Sequence, residues 1–371
     1  MKDTAVTHKQ FTAAIFAALL SPLLRALPRQ AVSLAGRAVW LSAVPAFLLL
    51  LIPALLMTDL GRRLRPGEGM AGLIVRVLGP VFGRLLALVY AAWFLFYAGF
   101  ILRSGAERLA ATVYTQSSVY FFIVVKLALC LLVAMGTLRA TTRTAVILRA
   151  ILLISVGMVF VFALSNISAK NLLPLAWDQA PQVAEGALPI LTIGSVAALF
   201  SFLRAYVEPA EKPMRHILPL SLLFCAIAGL LCFETVGSFG EHMLLDLRYP
   251  FFTMTRDVSI FNLSQRIEAV VIALWAFADF IICVLLLRCA HEALRTVFGF
   301  PKSEDLPLFS LRRGRWLLPL EAVAVYAFSQ VFASSFGFFT NWSERLIPFI
   351  SNCLVFGGFS LVLLIARLRR Q

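Results

Sequence analysis

Residues 11–35 read FTAAIFAALLSPLLRALPRQAVSLA and residues 38–58 read AVWLSAVPAFLLLLIPALLMT. Each run is about the twenty residues that a helix, rising 1.5 Å per residue, needs to cross the hydrocarbon of a bilayer. Further along, similar windows cover about 85–103, 119–136, 144–165, 187–203, 217–239, 267–288, 316–335 and 345–366, which predicts ten transmembrane helices. The whole composition agrees, with 61% hydrophobic residues and 14% charged ones among 371, against roughly 25% charged in a soluble domain. An all-α integral membrane protein is expected, as a single polytopic domain over 1–371. The connections at 166–186 and 240–266 are too short for independent domains and suit ordered loops or interfacial helices.

The net charge of +14 would suggest nucleic acid in a soluble protein, but here the basic residues sit between apolar runs and no nucleic-acid partner is expected. With both termini in the cytoplasm, 21 basic residues fall on inner segments against 10 on outer ones. That bias supports N- and C-termini on the cytoplasmic side. The six cysteines lie in or beside apolar segments, without metal-ligand spacing, and read as small core or lipid-facing residues.

Two runs are irregular in a matched way. The first carries Ser21-Pro22, then Arg25 and Pro28; the sixth carries Pro189 and Gly194-Ser195. Proline removes a backbone donor and glycine loosens the helix, so both are expected to be interrupted. Each opens a five-span half, about 9–165 and 187–366, which is the pattern of a 5+5 inverted repeat with a ligand at the breaks. Simple kinking of the two helices is the alternative.

No enzyme motif is present, and no cofactor or metal is expected. Gly67-Glu68-Gly69 lacks phosphate-loop spacing, His291-Glu292 has no second histidine a turn later, and all four histidines lie near expected membrane interfaces. Ionisable residues within spans carry more information, because each costs ~2.5–3.5 kcal/mol at a helix centre on insertion scales and so faces the bundle interior. Arg25, Lys126, Glu268 and Asp279 are the chief candidates; Arg149, Glu234 and Glu321 are weaker, and Arg149 and Glu321 stand near enough to an interface to snorkel. Lys126 and Asp279, opposite in sign and central in their spans, are expected to pair. Glu268, Ile272, Trp275 and Asp279 share one helix stripe, while Arg266 and Glu268 point to different sides and are expected to tie the 240–262 loop.

The ligand expectation follows from the breaks. Amides of Leu23, Leu24 and Arg25 after Ser21-Pro22 would hold a carboxylate, with Arg25 adding full charge unless it snorkels outward. Thr192, Ile193, Gly194 and Ser195 would receive the amino end, and Trp93 or Tyr97 would close the side.

Several motifs in order resemble the B subunit of bacterial spore germinant receptors (the GerA type). Tyr249-Pro250, then Gln265-Arg266-Ile267-Glu268 and Trp275, match its "YP … R-x-E-x6-W" pattern; PRQAVSLAGRAVWLS at 28–42 matches the junction of its first two helices; and Asn171-Leu172-Leu173-Pro174 precedes the sixth. The resemblance spans about 8–366. It implies a branch of the amino acid-polyamine-organocation transporters with a LeuT-like fold, a non-enzymatic role in spore germination, a nutrient such as an amino acid as ligand, and an A subunit and a C-subunit lipoprotein as partners in the spore inner membrane. The chain departs from that pattern at Ser21-Pro22 with Arg25 and at Ser195-Val196-Ala197, where ligand choice is set. A permease driven by a proton or sodium gradient, and a structural subunit without ligand, are the alternatives.

Overall fold

The computed structural model describes residues 6–369 except 66, 113, 115, 175, 209–212, 258–263, 301–315 and 333–340; for 112, 256–257 and 264–274 it describes the backbone alone. The helices are α1 (His8–Ala35), α2 (Ala43–Arg62), α3 (Met70–Leu78), α4 (Pro80–Thr112), α5 (Val119–Ala134), α6 (Leu138–Ala163), α7 (Ala169–Leu172), α8 (Ala180–Leu199), α9 (Met214–Asp246), α10 (Pro250–Asp257), α11 (Ser264–Val297), α12 (Leu317–Val331) and α13 (Trp342–Leu368). Each of the ten expected spans overlaps one of the longer helices, the ninth over Leu317–Val331, with its positions 333–335 outside the described residues. The short α7 and α10 lie in the two connections anticipated to hold interfacial structure.

Six stretches of described residues are long and apolar enough to cross a membrane, the first of them, His8–Arg62, holding both α1 and α2. Their outward faces are apolar too: Leu48 is 61% exposed, Val161 65% and Phe349 67%. Water would not tolerate so continuous an apolar surface, whereas lipid requires it. The chain is a multi-pass membrane protein.

α1 begins with a capping box, Thr7 Oγ1 accepting from Gln10 N at 3.4 Å and Gln10 Oε1 from Thr7 N at 3.3 Å. It ends where Gly36 turns to φ 54°, a left-handed conformation that favours glycine. A tight 3-10 segment, Gly36–Ser42, then reverses the chain into α2. α1 lies at the centre, packed along α8, α9, α6 and α11, while α4 packs along α11. Just before α1, Val6 donates to Tyr206 O and accepts from Glu208 N, both at 3.0 Å, in an isolated parallel bridge to Val207.

The irregularities lie elsewhere than expected. α1 is helical throughout His8–Ala35 with Pro22 and Pro28 inside it, so the amides of Leu23, Leu24 and Arg25 are not those of a new half-helix. A proline forfeits a single hydrogen bond, whereas a gap in lipid would leave several backbone groups unpaired at several kcal/mol each. α8 likewise passes through Thr192–Ser195 as helix and tightens only afterwards, into a 3-10 run over Phe200–Tyr206.

Candidate functional site

Four helices meet at one buried carboxylate. Asp279 of α11 accepts from Ser21 Oγ of α1 and from the guanidinium of Arg108 on α4, and Lys126 Nζ of α5 lies 3.3 Å from its Oδ2. Asp279 is 2% exposed. Gly105 makes the meeting possible, since a Cβ there would collide with both the Asp279 carboxylate and the Lys126 ammonium. Arg108 lies over the Trp275 ring, 3.9 Å from its centroid, and Trp275 packs edge-on to Phe251 of α10. Cation–π contact in a dry setting adds to the carboxylate attraction.

Arg25 belongs to the same layer. It is buried rather than snorkelling: Nη1 donates to Ser104 Oγ at 2.8 Å and the guanidinium stacks 4.7 Å from the Phe100 centroid. Tyr97 stacks on Phe100 and Trp93 on Tyr97, at centroid separations of 6.4 and 6.0 Å. These rings sit at i, i+4 and i+7, one stripe of α4. They support Arg25 and are absent from the cavity described next.

That cavity, about 280 Å³, lies between α1, α2, α8 and α9. Its α1 wall is His8, Phe11, Thr12, Ile15 and Leu19, a single helical face running about 16 Å into the bundle. The mouth is at the shared end formed by the start of α1, the end of α2, the 3-10 run after α8 and the start of α9. Gly194 and Ser195 line the inner end. At Gly194 a Cβ would stand 2.7 Å from Leu50 and 3.1 Å from Phe224, so these two side chains press on bare backbone and close the cavity from within. The space a larger residue would need at 194 is already taken. Beside it, Asn352 of α13 donates to Thr192 Oγ1 at 2.8 Å, and Ser195 Oγ donates back to Thr192 O at 2.9 Å.

Of the residues expected at a ligand site, Gly194 and Ser195 line the cavity; Ser21 and Arg25 join the ion cluster instead; Leu23 and Leu24 are packed in the core. Pro22 and Ile193 are buried within their helices. The side chains of Arg266 and Glu268 lie outside the described set. Two interior groups differ from their expected settings, and a third, Glu234, faces the interior as expected. His291 is 2% exposed rather than solvated and lies 2.8 Å from Glu321; Glu321 is correspondingly buried rather than snorkelling; Glu234 is fully buried, with neither carboxylate oxygen hydrogen-bonded among the described residues. Arg108 escaped the sequence reading because the third span was ended at 103, whereas α4 runs on to Thr112. Its spacing from Tyr97, Ile101 and Ser104 was the available signal.

Central packing of α1 on α8 and of α4 on α11, in a lipid-facing bundle, defines a polytopic helical membrane protein. The architecture is shared with the crystal structure of the manganese transporter from Eremococcus coleocola in complex with an aromatic bis-isothiourea substituted compound: 13% identity, TM-score 0.50, covering 96% of this chain and 80% of that one. At this identity the likeness speaks for fold alone, the LeuT-like class expected from the sequence. Residues 5–335 match the family model described as "Spore germination protein", and the chain belongs to that family. No curated protein matches.

Proposed function

We propose that the chain is the small-molecule-binding membrane subunit of a spore germinant receptor, answering a nutrient such as an amino acid. The observation that carries this reading is the cavity along α1, open at one end of the bundle and stopped by Leu50 and Phe224 against Gly194. Two residues past Leu19, where the cavity ends on α1, stands Ser21, bonded to Asp279. A ligand that prefers one placement of α1 therefore acts directly on a cluster binding α1 to α4, α5 and α11, and differential affinity for two placements is what a sensor requires. In this reading the termini and the cavity mouth face the cytoplasm. The membrane is the spore inner membrane, and the partners are an A subunit and a C-subunit lipoprotein. Arg25, Lys126, Trp275 and Asp279 transmit the signal, with Arg266 and Glu268 as further coupling residues.

The test is a thermal-shift screen of amino acids, sugars and nucleosides on purified protein, followed by germination assays with the stabilising compound. A stabilising nutrient that triggers germination only when this chain is present supports the reading; absence of any stabilising compound defeats it. A permease driven by a proton or sodium gradient is the second reading, favoured by a cavity open on one side only. Uptake of the stabilising compound into proteoliposomes would select it.

A further inference from the structure

Among the described residues, the cavity mouth is cationic and unanswered. His8 and His216 stack there with centroids 5.5 Å apart and planes 7° from parallel, and Arg204 Nη1 lies 2.7 Å from His8 Nε2. A guanidinium has only donors to offer, so in this contact the imidazole nitrogen accepts and His8 is neutral. Arg204 thus keeps its whole charge beside an uncharged partner. Neighbouring arginines at this end of the bundle are treated differently: Arg76 meets Glu68 at 3.0 Å, Arg63 meets Asp59 at 3.5 Å and Arg367 meets Asp59 at 2.6 Å. Arg204 meets no carboxylate among the described residues, and Arg62 adds a second cation to the rim. No Asp or Glu is among the described lining residues. Behind the mouth the wall turns apolar, with Phe11, Ile15, Leu50, Met57 and Leu220, down to the bare backbone at Gly194.

We infer that the cavity takes a small organic monoanion, its carboxylate on Arg204 and its apolar body lying inward along α1. The inference rests on the nutrient-site reading and narrows the ligand class. A half-buried guanidinium without counter-charge is costly, and a carboxylate supplies both the charge and a planar pair of acceptors matched to it. At the small end of the usual range for ligand pockets, the volume suits a body the size of an aliphatic or aromatic amino-acid side chain. An amino group has no acid on the described wall to receive it and is not required. Amino acids with apolar side chains therefore qualify, their deaminated analogues qualify equally, and amines of the same shape do not.

The experiment uses the full chain in lipid nanodiscs with three probes: L-leucine, 4-methylpentanoate and 3-methylbutylamine. Thermal midpoints are read against concentration to give Kd. Leucine and 4-methylpentanoate are expected to stabilise with similar Kd and the amine not at all. Arg204→Gln should weaken both anions by about tenfold or more, the worth of a charge-assisted pair, with Arg204→Lys retaining part of the affinity and Arg84→Gln, outside the lining, leaving it unchanged. Gel filtration of each variant confirms folding; an Arg204→Gln that does not fold hands the decision to the wild-type comparison of acid and amine. Equal stabilisation by the amine, or unchanged anion affinity in folded Arg204→Gln, overturns the inference. So does stabilisation by a sugar or nucleoside in place of both acids, which would leave the receptor reading standing. A phospholipid that copurifies with wild type and is lost from Arg204→Gln assigns the mouth to a lipid headgroup and also overturns it. Failure of every compound overturns the receptor reading underneath.

Discussion

Asp279 and Glu234 are both buried acids in membrane helices, and their surroundings predict opposite outcomes on neutralisation. Asp279→Asn leaves Arg108 and Lys126 in the interior without the carboxylate they face. Removing one partner of a buried ion pair costs about 3–5 kcal/mol, so the yield of monodisperse protein on detergent gel filtration should fall sharply. Glu234→Gln instead relieves a carboxylate with no hydrogen-bond partner among the described residues. A neutral amide of the same shape is cheaper to bury, and the thermal midpoint should be unchanged or higher. Half of this was legible beforehand. Opposite sign and mid-span position made Lys126 and Asp279 a natural pair, but nothing in the periodicity of α11 says that Ser21 of α1 reaches the same carboxylate, because long-range packing decides which faces meet. Gly105 was silent for the same reason: a missing side chain shows its purpose only against the neighbours it admits.

The helices themselves were read nearly correctly, their boundaries less so. Apolar length fixes where the chain can cross lipid, yet α4 extends past its apolar window to Thr112, into charged residues that pack on a neighbouring helix, as Arg108 does on Asp279 of α11. The interruptions misled because proline and glycine mark weak places in a helix without saying that the helix yields there. α1 holds its course through Pro22, one hydrogen bond short. Pro22→Ala restores the donor to Ala18 O and removes the ring clash, a gain of up to about 3 kcal/mol. The expected result is a higher melting temperature together with a smaller response to nutrient, because a stiffer α1 shifts less readily on its ion cluster. A lower melting temperature would mean that the proline ring itself fills essential space. On α8 the corresponding weak place is held by Asn352, and Asn352→Ala should cost about 1 kcal/mol by leaving Thr192 Oγ1 without that bond, read as a modest drop in midpoint.

At the scale of the molecule, composition alone excluded a water-soluble fold, and the spacing of apolar runs fixed the class of bundle. The candidate site was less legible. Its inner end, Gly194 and Ser195, was anticipated, whereas the mouth at His8, Arg204 and His216 was not, because His8 lies about 200 positions before the other two and only antiparallel packing of α1 with α8 brings it to them. Orientation is the most direct test of the whole arrangement. A reporter fused after Gln371 or near Pro301 should score as cytoplasmic and one near Trp177 as external, following the excess of basic residues on one side; reversal would place the cavity mouth on the outer face.

The bridge between Val6 and Val207 gives the cavity a clasp. Val6 lies two residues before His8 and Val207 three after Arg204, so the mouth cannot widen along this seam without unfastening two backbone hydrogen bonds. At about 1 kcal/mol each, such a fastening holds the mouth at its narrower width in most molecules at any instant while letting many widen within a ligand's encounter time. Entry of the ligand then becomes a question of how often the clasp springs, and retention a question of how soon it snaps back. Val6→Pro, which deletes the donor to Tyr206 O, should speed ligand association about fivefold and dissociation by as much, shortening the residence time while the equilibrium affinity stays put.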